Sequence, residues 1–181
     1  MTQAETQAQA ALQDLKQSLT RYRQILAATD KEVFEKKPAP EQWSVAQLME
    51  HLCTATAYFF GKRVHYCLSR NTEKGKEGGS LSEAGEYVME KNRFPQKQIK
   101  IPGAGHVEYD TRDVATYQGW LDKIEEEFTG LAPKVAADEG TFTVHHPYLG
   151  DLNALHYYRN HSMHWKHHEE QLQRILTAIK G

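Results

Sequence analysis

Ten of the 181 residues are histidine, and most of them crowd into the stretch from His145 to His168. Imidazole is the commonest protein ligand for transition metals, so this concentration is where chemistry is to be sought. His164 and His168 stand four positions apart. On a helix that spacing stacks them one turn above the other on a single face. Two ring nitrogens so placed can meet one cation at about 2.0–2.1 Å. Leu172, Ile175 and Ile179 mark the buried stripe of the same helix. Stepping back from them by threes and fours reaches His168, His164 and His161, so these rings face the core. Buried rings need partners, and either hydrogen bonds or a shared cation would supply them. His51, beside Leu48, Leu52 and Ala55 in an earlier segment, is the candidate third ligand. It also suits a boundary position with one ring edge in water, and spacing alone leaves both open.

Other groups are candidates for lining a pocket around these histidines. Tyr58 lies two turns beyond His51; Tyr157 and His161 precede His164 by two turns and one; Gln171 follows it by two. Each fits plain packing as well, and His161 also fits a fourth ligand or a partner that orients His164. His167 is turned about 100° from His168 and is expected exposed or at the helix edge. Glu169 and Glu170 flank His168 off its face. Cys53 points away from His51, and Trp43 is expected to close one end of the core.

These side chains need helices to position them. Thr2 to Ala28 reads as a first helix, opened by a Thr2–Glu5 capping box and striped by Leu12, Leu15, Leu19, Tyr22, Ile25 and Leu26. Pro38 and Pro40 interrupt the chain after it. A second helix is expected from Ser44, with Gln47 completing its capping box, to about Ser69; Val45, Leu48, Leu52, Ala55 and Phe59 form its buried face. The glycine-rich, charged stretch NTEKGKEGGS is expected to be a surface loop. A short helix follows from about Ser80 to Lys91, ended by Pro95, then a brief extended piece over Gln98–Ile101 and a turn at Pro102–Gly105. The third long helix is expected over Thr111–Leu131, stopped by Pro133. Thr141–His145 reads as a short strand, and the fourth long helix as Asp151 to about Ile179. Four long amphipathic segments predict an all-α four-helix bundle, with a long connection between the second and third. That connection, Arg70 to Asp110, is either a lid over the site or a decoration. No repeat or boundary divides the chain, so a single domain over 1–181 is expected.

Composition narrows the function classes. The formal charge is -2, which favours neither nucleic acid nor an anionic membrane as partner. No apolar run has the length of a membrane span. The polar start MTQAETQAQA does not resemble a signal peptide. Cys53 and Cys67 would lie about 21 Å apart along one helix, too far for a disulfide. Two reduced thiols suit the cytoplasm. There is no HExxH helix, phosphate-binding glycine loop or CxxC pair.

Three stretches together resemble a known family. Trp43-Ser44-Val45-Ala46-Gln47-Leu48-Met49-Glu50-His51-Leu52 looks like the start of the second helix in the DinB-like superfamily, which includes the YfiT-type bacillithiol transferases. His146-Pro147-Tyr148-Leu149-Gly150-Asp151-Leu152 resembles a loop that some members carry before the last helix. His164-Trp165-Lys166-His167-His168-Glu169-Glu170-Gln171 is similar to the family's H-x-x-H-H-x-x-Q tail. The resemblance implies a DinB/YfiT-like four-helix bundle with a metal held by His51, His164 and His168. It implies zinc or nickel first and iron or manganese next, and a homodimer, since several members are dimers. The glycine-rich, basic insertion after the second helix departs from the family pattern and leaves the substrate class open.

Three neutral imidazoles leave the ion's charge uncompensated and a coordination position open, as in reactive rather than structural sites. Such an ion can activate water or a thiol. The expected function is therefore a metal-dependent transferase or hydrolase acting on a small molecule, with a low-molecular-weight thiol as a candidate partner. The alternative is a non-catalytic metal-binding bundle, a binding or stress-response module.

Overall fold

Four long helical stretches carry the architecture in the computed structural model, which describes residues 1–95 and 107–180. They are α1 (Gln3–Ala28); a second stretch formed by α3 (Val45–Ala55), a π-helical turn (Thr56–Phe60) and α4 (Gly61–Leu68); α6 (Val114–Ala137); and α7 (Ala154–Lys180). Short helices α2 (Lys31–Glu35) and α5 (Glu83–Lys91) lie in the connections. Helix α1 packs on α6 and α7, and α3–α4 pack on α7 and α6, which puts α1 and α3 at opposite corners of an all-α bundle. Both expected capping boxes form: Thr2 with Glu5, and Ser44 with Gln47. Among the described residues no helix is long and apolar enough to cross a membrane.

The core is built from the predicted stripes. Leu12, Leu15, Leu19, Tyr22 and Leu26 of α1 meet Tyr117, Leu121, Ile124 and Phe128 of α6 and Trp165, Leu172 and Ile175 of α7, all buried. Phe59, expected on the buried face of the second helix, is instead only partly buried, and Phe60 takes the core position. The cause is the π-helical turn. Its wider winding shifts the register, so Leu52, Thr56, Phe60 and Val64 form the inward row.

Three boundaries differ from the sequence expectation. Helix α6 runs through Pro133 to Ala137. Proline removes one hydrogen bond and crowds the preceding turn, but continuing the helix buries Ala132 and Val135. The glycine-rich loop holds β1 (Gly75–Glu77), which pairs antiparallel with β2 (Phe142–His146), and β2 pairs with β3 (Gly150–Leu152). Asp151 therefore lies in a strand, and α7 begins at Ala154. The expected extended piece at Gln98–Ile101 and the turn at Pro102–Gly105 fall outside the described residues.

The β2–β3 hairpin turns at Gly150, whose φ of +82° suits glycine alone, and an added Cβ there would lie 2.4 Å from Ser82 N. Helix α5 docks beside it, its Gly85 pressed against Leu149 O with no room for a Cβ. Arg159 of α7 ties α5 down, donating to Met89 O at 2.7 Å and Asn92 Oδ1 at 3.2 Å. The insertion thus brings Phe94 and Pro95 beside α7.

His161, nominated above as pocket lining or a fourth ligand, is a fully buried core group. Its Nε2 sits 2.8 Å from Thr56 Oγ1 and 2.9 Å from Trp165 Nε1, and its ring stacks on Phe128 with centroids 3.8 Å apart. Burial pushes its pKa down to about 3, whereas an unfolded histidine titrates near 6.5. The unfolded chain therefore takes up a proton below pH 6.5 that the folded chain refuses. The stability is fully present above pH 6.5 and is lost as pH falls toward 3, by about 1.4 kcal/mol per pH unit for one such group. His161→Gln is expected to flatten the pH dependence of the urea midpoint between pH 6 and 4.5 by that slope. An unchanged slope contradicts the assignment.

Candidate metal centre

The histidines that face the cavity come from two helices. His51 lies on α3 one turn after Gln47, and His164 and His168 lie one turn apart on α7. The α3–α7 packing brings the three together: ring centroids are 5.1 Å apart for His51–His164, 4.9 Å for His51–His168 and 4.6 Å for His164–His168. One ligand atom from each lies within 4.8 Å of the others, and the Nε2 atoms of His51 and His164 are 3.2 Å apart.

Each outer ring has its far nitrogen engaged. His168 Nδ1 lies 2.7 Å from Gln171 Oε1. An amide oxygen can only accept, so Nδ1 carries the proton and Nε2 keeps its lone pair. His51 Nδ1 lies 3.0 Å from Tyr109 Oη. Trp43 packs on the His51 ring with centroids 4.9 Å apart and donates its indole N–H to Val107 O at 2.9 Å. Among the described residues, the buried His164 Nδ1 has no hydrogen-bond partner.

Electrostatics keep all three rings neutral at pH 7. Burial lowers the His51 pKa to about 4. Burial, then repulsion from His51, lowers His168 to about 3 against a small opposing contribution from its Gln171 hydrogen bond. Burial and the neighbouring imidazoles hold His164 well below its ordinary value. Neutral, converging imidazoles are the state in which histidine binds metals. The donor set thus fits a divalent transition metal: three nitrogens, and Gln171 and Tyr109 placed to orient two of the rings.

The site opens into a cavity of about 720 Å³, within the range of small-molecule pockets. Its walls include Tyr58, Phe59 and Phe60 from the second helical stretch, Phe94 from the insertion, and Pro147 and Tyr148 from the hairpin turn. Tyr58, a candidate for lining a pocket, is at the wall and is exposed. Tyr157 is not: its ring is fully buried, and its hydroxyl donates to Val144 O at 3.3 Å, tying α7 to β2. Gln171 acts through His168 and does not border this cavity. His167 is exposed at the cavity edge beside Phe94. Glu169 is occupied by Arg21 and Ser18 of α1. Cys53 is buried, its thiol pKa pushed up by burial and by Glu50.

Three wall residues escaped sequence reasoning. Tyr109 follows the insertion with no helical spacing to relate it to His51. His146 stands in the HPYLGDL stretch, which resembles a family loop and carries no spacing that relates it to the other histidines. Asn160 precedes His164 by one turn on the same face, a position open to the reasoning that selected His168.

A family model described as the DinB superfamily matches residues 14–172, most of the chain. Neither a curated protein nor a solved structure gives a significant match. The family match and the three-histidine cluster together fit a metal-binding protein.

Gln171→Leu is expected to weaken zinc binding about 10–100-fold by releasing the His168 tautomer, as read by competition with a chromophoric chelator. Unchanged affinity contradicts an orienting role for Gln171.

Proposed function

The chain belongs to the DinB superfamily, and from that membership together with the site geometry we propose that it is a metal-dependent enzyme performing thiol transfer or hydrolysis on a small substrate. The observation that carries this reading is the convergence of His51, His164 and His168 at the wall of an open cavity. We propose zinc or nickel as the ion, with iron or manganese as the next choices, and a low-molecular-weight thiol as the candidate co-substrate. When bound, the ion would supply a hydroxide or thiolate nucleophile near neutral pH.

The chain's own residues do the rest. Gln171 keeps the His168 lone pair directed at the site. Tyr109 does the same for His51 when its oxygen accepts the Nδ1 proton. In that arrangement the phenol proton is free to be offered toward the cavity. Burial and the nearby Glu50 raise the Tyr109 pKa, so the phenol is protonated at pH 7 and is a proton donor rather than a base. The aromatic walls hold an apolar substrate body and exclude water from the reacting end.

One observation favours a second reading, a non-catalytic metal-binding module. Among the described residues no carboxylate lines the cavity, so the commonest general base after histidine is missing. The two readings separate in one experiment: purify the protein, determine its metal content, and assay a panel of thiols with an electrophile and of simple esters. The enzyme reading predicts about one ion per chain, turnover abolished in His164→Ala, and kcat lowered about a hundredfold or more in Tyr109→Phe. Metal binding that raises the melting temperature without turnover of any substrate supports the module. Absence of bound transition metal defeats both.

A further inference from the structure

Asn160 is 1% exposed and borders the cavity, yet neither its Oδ1 nor its Nδ2 has a hydrogen-bond partner among the described residues. A buried amide with both ends unsatisfied is costly unless something else meets it. It lies on the face of α7 that carries His164 and His168, one turn before the first of them, so a guest beside the imidazoles is within its reach.

A second polar group is oriented by the hairpin turn. His146 also borders the cavity, and its Nδ1 accepts the backbone N–H groups of Tyr148 at 3.1 Å and Leu149 at 3.2 Å. A nitrogen that accepts carries no proton, so the ring proton of His146 is on Nε2, which is a donor. Around these two groups the wall is aromatic and apolar: Phe59, Phe60, Phe94 and Pro147.

The complement of an unpaired carboxamide, which offers a donor and an acceptor side by side, is another amide. We propose that the cavity is the binding site for an amide-bearing small molecule with an aromatic or branched-alkyl body. Its amide pairs with Asn160, and a carbonyl acceptor meets His146 Nε2–H. This deepens the enzymatic reading above and rests on the same cavity, but the pairing with Asn160 does not depend on the metal. It assigns the specificity of the site to α7 and the hairpin turn, while the aromatic walls supply affinity without selecting a polar group.

The test uses three probes of similar size on the full chain: benzamide, methyl benzoate, which accepts but cannot donate, and ethylbenzene, which does neither. Affinities are measured by ligand-observed NMR titration, with chelator-treated and with zinc-loaded protein. Benzamide is expected to bind at least about tenfold more tightly than ethylbenzene, with methyl benzoate between them. The order is expected to be the same with and without zinc. Asn160→Leu is expected to erase the preference for benzamide over methyl benzoate, which His146 serves equally, while still binding ethylbenzene. Equal affinity for benzamide and ethylbenzene in the unsubstituted protein, or no binding of any probe, overturns the proposal, as does an Asn160→Leu variant that keeps the preference. Should that variant fail to fold, Asn160→Ser, which shortens the side chain and removes the amide, takes its place with the same expectation. Zinc binding that is undiminished in His51→Ala, with the benzamide preference intact, would count against the metal-dependent reading alone, so the two fail separately.

Discussion

Three neutral imidazoles facing one another inside a protein impose the constraint on which the rest of this structure turns. The Nε2 atoms of His51 and His164 are 3.2 Å apart, and the lone pair of His168 Nε2 is directed by the Gln171 contact on the opposite edge of its ring. Burial keeps the rings from charging, so protonation is a poor way to satisfy them. A cation accepting all three lone pairs would meet that demand at once, where a hydrogen bond between His51 and His164 meets it for one pair of rings. The contrast with His161 is instructive. It lies on the same helix and is more deeply buried, but its Nε2 is already engaged by Thr56 and Trp165 and its ring sits against Phe128, so only its Nδ1 lacks a partner among the described residues.

Much of the fold exists to hold that convergence open on one side. The α3–α7 contact sets the distance between His51 and the C-terminal pair. The π-helical turn after α3 draws Phe60 into the core and leaves Phe59 at the cavity wall. Arg159 anchors α5, and the close fits at Gly85 and Gly150 seat α5 and the hairpin together. These contacts bring Phe94, His146 and Tyr148 to the cavity from segments distant in sequence. The connection between the second and third long helical stretches is therefore part of the cavity wall through Phe94, and loops of this kind are where binding selectivity is set on a shared scaffold.

What was readable in advance follows from helical periodicity. The stripe of Leu172, Ile175 and Ile179 extends backward to His168 and His164, so their inward facing needed no coordinates. The capping residues Thr2, Ser44 and Gln47 announce two helix starts through local hydrogen bonds alone. Features that depend on distant partners were hidden. Gly75 to Glu77 has no strand-like alternation of its own and becomes a strand only because β2 is beside it. Pro133 signals a stop, but the gain from burying Val135 outweighs it. Periodicity assumes 3.6 residues per turn, so it named Phe59 where the π-helical turn selects Phe60. Tyr109 reaches His51 across a connection whose path no local pattern encodes. Tyr157 and His161 share the inward face with the ligands, and facing inward does not distinguish a cavity from a core.

The account stands or falls on the coordination sphere itself. X-ray absorption at the metal edge of the zinc-loaded protein reads that sphere directly. The geometry predicts three imidazole nitrogens at about 2.0–2.1 Å, one or more light exchangeable ligands, and no sulfur. A sphere containing a cysteine sulfur, or one with fewer than three imidazoles, would contradict it.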